Sequence, residues 1–219
     1  AVLLGACKTP VAEREHLLAL HRESTAKGWW QGFEPKFPSQ LRTLIEHEQL
    51  ATEVISWQMN LVCGLLQTPD YMRAVISASA TVPSSEIDVR VAARLDRQRV
   101  VEGRREFIFY VHEQALRLPV GGPAVMSDQL HHLLRMSVRP YIAVRVVPTG
   151  LGAHAGLAGA FTLFRLSGVE PVVFVEGETS SLFVEAKAQL DSFKKVLGSI
   201  AQAALDEEQS RNLITEIAT

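Results

Sequence analysis

Glu106-Phe-Ile-Phe-Tyr-Val-His112 and Tyr141-Ile-Ala-Val-Arg-Val-Val147 are the stretches on which the fold turns. Both are dense in β-branched and aromatic side chains, which suit a pleated, half-buried surface. Between them, residues 127–137 place Leu130, Leu133 and Leu134 at helical intervals. Strand, helix and strand in that order predict a parallel pair joined by a right-handed crossover. Three short apolar runs follow at 160–166, 171–175 and 181–185, separated by Ser-Gly and Gly-Glu-Thr turns. They read as an antiparallel meander. A last long helix carries Leu190, Phe193, Leu197, Ile200 and Ala204 on one stripe.

Upstream, the first hundred residues read as helix. Thr9-Pro10 opens one and Lys27-Gly28 closes it. Trp29, Trp30 and Phe33 then fall in a segment broken by Gly32, Pro35 and Pro38. Aromatics placed there clamp a linker onto the body, or else form a ligand platform. From Ser39, the positions Leu41, Leu44, Ile45, Leu50, Val54 and Trp57 keep roughly helical spacing. Thr68-Pro69-Asp70 starts another helix through Tyr71, Ala74, Val75 and Ala78. Ser85 with Asp88 resembles a capping box for a helix to about Gly103, with Ile87, Val91 and Leu95 inward. The expected class is therefore α+β: a helical N-terminal half packed on a small mixed sheet, with a long C-terminal helix. Leu65, Leu66 and Tyr71 are expected to join the halves, with Phe161 and Phe174 receiving them.

Composition narrows the function classes. The 219 residues carry a net charge of −2 and are 47 % hydrophobic. That is ample for a core and excludes both a basic nucleic-acid coat and an acidic disordered tail. Cys7 and Cys63 are the only cysteines, which fits a reducing compartment and a cytoplasmic location. The longest uncharged stretch, 146–164, holds Pro148 and several glycines, so no membrane association is expected from it.

Motifs for the large enzyme classes are absent. There is no HExxH, CxxC, GxSxG or phosphate-cradling GxxxxGK[ST], and His131 and His132 are adjacent on a helix. No metal, cofactor or catalytic residue is expected. Six arginines (Arg90, Arg94, Arg97, Arg99, Arg104, Arg105) stand against Asp96 and Glu102. Arg90, Arg94 and Arg97 share one helix face, either an anion-binding face or a solvated one with internal ion pairs, Glu113 among the partners. The segment Pro148-Thr-Gly-Leu-Gly-Ala-His-Ala-Gly-Leu-Ala-Gly159 is long for a hairpin connection. It reads as a binding loop with His154 at its tip, or as a flexible connection whose histidine caps a carbonyl. Arg94, Arg97 and Gln98 are expected to point towards Glu113, with the His154 loop closing over them.

Several strings together resemble a known family. Leu61-Val62-Cys63-Gly64-Leu65-Leu66-Gln67-Thr68-Pro69-Asp70-Tyr71 is similar to an I/L-x-PGLLQT-P-x-Y signature, with Cys63 in the place of proline. Ala93-Arg94-Leu95-Asp96-Arg97-Gln98, Glu113-Gln114-Ala115-Leu116, Met126-Ser127-Asp128-Gln129-Leu130 and Val146-Val147-Pro148 match later blocks, and Gly152-Ala153-His154 with Gly159-Ala160-Phe161 completes them. The order resembles the effector domain, of unknown function, that follows an XRE-type helix-turn-helix in many actinobacterial regulators. The resemblance implies that residues 1–28 are the last helices of a DNA-binding module and 29–219 an effector- or partner-binding domain. It implies DNA as a partner through a module mostly outside this chain. It further implies a small effector or small partner protein, and a homodimer. Gln67 and Tyr71 join Arg94, Arg97, Gln98, Glu113 and His154 as binding candidates. The alternative is a stand-alone enzyme or binding protein for a phosphorylated or nucleotide-like molecule. The strand-helix-strand core also looks like phospholipase-D-like folds, but the HxK that their catalysis needs is missing.

Overall fold

A computed structural model describes residues 39–219 apart from 104, 178 and 179. The expected boundary at 28/29 and the aromatic clamp of Trp29, Trp30 and Phe33 lie outside the described residues. Helix α1 (Ser39–Leu50) runs without a break into strand β1 (Ala51–Gln58). Here the helical reading of 39–57 fails. The apolar spacing continues past Leu50, but Thr52, Val54 and Ile55 are β-branched, and burial on both faces removes the alternation that marks a half-buried strand.

The remaining elements follow in order. Helices α2 (Pro69–Ala78) and α3 (Ile87–Gln98) precede β2 (Glu106–His112), the short α4 (Glu113–Arg117), α5 (Pro123–Ser137) and β3 (Ile142–Val147). Strands β4 (Phe161–Leu166), β5 (Val172–Glu176) and β6 (Ser181–Val184) lead to α6 (Lys187–Ala203) and α7 (Glu207–Ala218). Thr68 caps α2 by accepting from the Tyr71 N–H. The expected capping box at Ser85 and Asp88 is not formed. A 3-10 turn at Ser84–Glu86 leads into α3, and no side chain caps it.

The sheet order is β3-β2-β1-β4-β5-β6. Strand β1 pairs parallel with β2, aligning Val54 with Phe107, and antiparallel with β4, aligning Val54 with Phe164. The strand missing from the sequence reading is therefore the pivot of the sheet, where the parallel half meets the antiparallel meander. The protein is α+β, with three parallel strands instead of the expected pair.

Each sheet face carries its own core. On one, Val54, Phe107, Phe109, Val144, Phe164 and Phe174 meet Leu65, Leu66 and Tyr71, with Leu130 and Ile214 beside them. Burying each such large side chain stabilises the fold by about 1.5–3 kcal/mol. On the other, Ile55, Trp57, Tyr110, Phe161 and Leu163 meet Leu190, Leu197 and Ile200 of α6. Phe174 thus shares the face and core of the Leu65–Tyr71 segment, whereas Phe161, expected there too, points to the opposite face.

The β3 edge is closed by the α6–α7 junction. The Val146 N–H donates to Ser210 Oγ, and the Val146 carbonyl accepts from the Leu205 N–H. Arg145 holds that junction through the carbonyls of Ala201, Ala204 and Leu205. Asp206 and Gln209 form a capping box that starts α7.

Candidate functional site

The turn between β1 and α2 cannot satisfy its own carbonyls, and three glutamines do it instead. Gln98 of α3 donates through Nε2 to Gly64 O (2.9 Å) and Gln67 O (2.8 Å). Gln129 of α5 donates to Leu66 O and accepts from the Thr68 N–H, both at 2.7 Å. Gln67, itself buried, donates to Val62 O at 2.7 Å, while Tyr71 Oη accepts from the Val62 N–H. Gln67, Tyr71 and Gln98 therefore shape the turn; the two amide nitrogens and the phenol are spent on main chain, while Gln67 Oε1 is buried without a partner.

The arginine face lies against this turn. Arg97 Nε sits 3.0 Å from Glu48 Oε2, with both side chains largely withdrawn from solvent (14 % and 4 % exposed). The contact lies off the N–H direction, so it is an ion pair without a hydrogen bond. Gly64 gives the guanidinium its seat, since a Cβ there would lie 3.1 Å from Arg97 Nη2. Arg105 donates to the Glu48 main-chain carbonyl. Burial pushes the Glu48 carboxyl up to about 7; Arg97 pulls it down without offsetting burial, and Glu176 pushes it further up. The Cys63 thiol, raised mainly by burial, is hydrogen-bonded to Ser56 beside the pair.

Arg94 stands one turn before Arg97. It is half-buried and makes no hydrogen bond or ion pair among the described residues. Burial and then the Arg97 charge push its guanidinium down, while Glu176 at the end of β5 supports the charged form. Arg90, by contrast, is tied to Glu86 at 2.9 Å. An unpaired guanidinium in partly dry surroundings is costly to hold.

The other face of the β1 end is strapped. Residues 148–159 cross over β2 and β1 to connect β3 with β4, which explains their length. Trp57 Nε1 donates to Gly156 O at 2.9 Å, and a Cβ at residue 156 would lie 2.6 Å from the indole. His154 Nδ1 accepts from the Gly156 N–H and His112 Nδ1 from the Gln114 N–H. The two imidazoles stack at 5.5 Å, and Trp57 meets both edge-on. Glu113 accepts from the Thr149 N–H (2.8 Å) and from Arg117 (2.7 Å). Burial raises Glu113, but these donors outweigh it and hold the carboxyl below its usual range. Burial, followed by the neighbouring His154, lowers His112.

Two expectations are corrected here. Arg94, Arg97 and Gln98 do not meet Glu113: Ser56 and Trp57 are consecutive in β1 and face opposite sides of the sheet, separating the arginine face from the strap. His154 also caps an amide N–H, not a carbonyl. Among the described residues, no cluster of three or more metal-ligating side chains is found, and no helix is long and apolar enough to cross a membrane.

Residues 41–216 match the family described as "Domain of unknown function (DUF5753)". The chain belongs to that family. No curated protein matches it. In this DUF5753 chain two of the sequence blocks form one structure, since the Gly64–Tyr71 turn is held by Gln98 and seats Arg97. Sequence reasoning missed Glu48, Ser56, Trp57, His112 and Glu176 as site residues. Glu48 left a signal: at Leu41, Leu44, Ile45 and Glu48 a carboxylate takes the fourth place in an apolar helical row. Ser56, Trp57 and Glu176 left none, because only the pairing of β1, β4 and β5 brings them near the arginines or the strap.

Proposed function

We propose that this DUF5753 domain is the regulatory body of an XRE-type helix-turn-helix transcription regulator of actinobacterial type, acting in the cytoplasm. It receives a small effector or small partner protein, supports dimerisation and performs no catalysis. DNA is bound by the module that precedes it. The observation carrying this reading is Arg94, a half-buried guanidinium with no partner beside the Glu48–Arg97 pair. A ligand pairing with it would touch α1, the Gly64 turn, α3 and the end of β5 together, which suits a receiver that must change the arrangement of several segments. The enzyme alternative needs Arg94, Arg97 and His154 in one cleft. Their placement on opposite sheet faces speaks against it.

The test uses the gene with its upstream coding sequence. Fluorescence anisotropy should show the extended protein binding its own promoter fragment, with an affinity that changes when a metabolite extract or a neighbouring small protein is added. Arg94→Ala should abolish that change. An extended protein that lacks a DNA-binding module, or one indifferent to every addition, refutes the reading.

A further inference from the structure

We propose that Arg94 binds the carboxylate or phosphate group of a small anion, and that Arg97 leaves Glu48 to join it while Glu48 takes up a proton. The proposal deepens the regulatory reading, because it names the chemistry that the same arginine would receive.

The geometry supplies both halves of the exchange. Arg94 offers a planar fork of donors with no partner among the described residues. A carboxylate or phosphate matches that fork in two parallel hydrogen bonds. Arg97 follows one turn later on α3, so both guanidinium groups can reach one anion. Its present partner holds it poorly. Glu48 Oε2 and Arg97 Nε are both buried, meet at 3.0 Å and form no hydrogen bond. A pair with that geometry does not recover the cost of withdrawing two charges from water.

Charge balance then selects the proton. The groups facing Glu48 are Arg97 from α3, Glu176 from β5 and the Cys63 thiol from the turn, and Arg105 engages only its carbonyl; Arg94 joins the cluster through Arg97 and Glu176. Two arginines and two glutamates are neutral together. A monoanion entering with a proton on Glu48 leaves the cluster neutral again. Without the proton, an uncompensated negative charge would stay buried. Glu48 is suited to the change, because burial already brings its carboxyl to about 7.

Isothermal titration calorimetry of this chain with dimethyl phosphate and, separately, with acetate, both monoanions that do not titrate near pH 8, tests the exchange. Each titration is run in two buffers of different ionisation heat at pH 8. The expected result is binding of at least one anion, with uptake of close to one proton and affinity falling about tenfold per pH unit above about 7. Glu48→Gln, which mimics the protonated carboxyl, should bind about tenfold tighter at pH 8 without proton uptake. Arg94→Gln should lose binding, and Arg94→Lys, which keeps the charge without the fork, should retain part of it. Dimethyl phosphate alone binding assigns a phosphate ligand; acetate alone assigns a carboxylate. Binding of neither anion, binding without proton uptake, binding unchanged in both Arg94 variants, or weaker binding by Glu48→Gln would each overturn the proposal. Thermal melts of every variant separate loss of binding from loss of fold. The titration asks nothing of DNA, so its failure leaves the regulator reading to its own test.

Discussion

The two sides of the β1 end contrast in how their polar groups are settled. Under the strap, the Trp57 N–H, the Nδ1 atoms of His112 and His154, and both Glu113 oxygens have partners, while His154 Nε2 is buried without one. Across the sheet, Glu48 and Arg97 meet without a hydrogen bond, and Arg94 makes neither hydrogen bond nor ion pair among the described residues. Satisfied networks hold one arrangement, whereas a half-satisfied one leaves free energy for a ligand to recover. A glycine-rich loop is thus the better-satisfied side here, with its ions paired, and the flank of a regular helix is the more receptive one.

The comparison is most directly broken at Trp57. Trp57→Ala removes the indole under Gly156 and the anchor of the strap, and should cost about 3–5 kcal/mol in urea denaturation. A loss below 1 kcal/mol would mean that the strap does not depend on it. Arg97→Ala should cost less and depend on pH. At pH 8.5 it leaves a buried carboxylate unpaired, costing about 3 kcal/mol, while at pH 5.5 Glu48 is protonated and the loss should shrink to about 1 kcal/mol. Equal losses at both pH values would contradict the raised Glu48 carboxyl.

Acid and base should also act oppositely on the two sides. The folded Glu48 holds its proton better than the unfolded one, so its contribution is complete below 4.5 and disappears as pH rises to about 7. His112 is lowered, so its contribution is present above 6.5 and lost as pH falls below that. Denaturation midpoints from pH 5 to 8 should therefore tilt towards acid lability in Glu48→Gln and towards alkaline lability in His112→Asn. Parallel curves for the two variants would remove the distinction. The smallest effect belongs to Glu113→Gln. It keeps an acceptor for the Thr149 N–H but loses the charge facing Arg117, whose own side chain is half-exposed, and should cost under about 1 kcal/mol.

What the sequence disclosed depended on whether a segment's surroundings matched its local pattern. Strands 106–112 and 142–147 were legible because β-formers there are bounded by turns or polar residues. Strand β1 was not, because Leu50 passes into Ala51 with no glycine, proline or capping residue, and Val54 and Trp57 happen to extend a helical row. Losing β1 also hid the site. Without that strand, nothing places Glu48 and Ser56 beside Arg97, or sets Glu113 apart from the arginines. Arg94 and Arg97 were found from their spacing alone, since helical periodicity is local. Glu48, the partner of Arg97, stands 49 residues before it; its own helical row marks it as inward-facing but does not reveal the pairing.

The closure at Val146 bears on how copies of this chain could associate. With that N–H and carbonyl already occupied, strand-by-strand growth is blocked at the β3 margin, and β6 is the outermost strand at the other margin. A body that can be extended from one side only cannot propagate into a fibre. If two molecules meet along β6, each uses the margin the other needs, and the assembly stops at a closed pair.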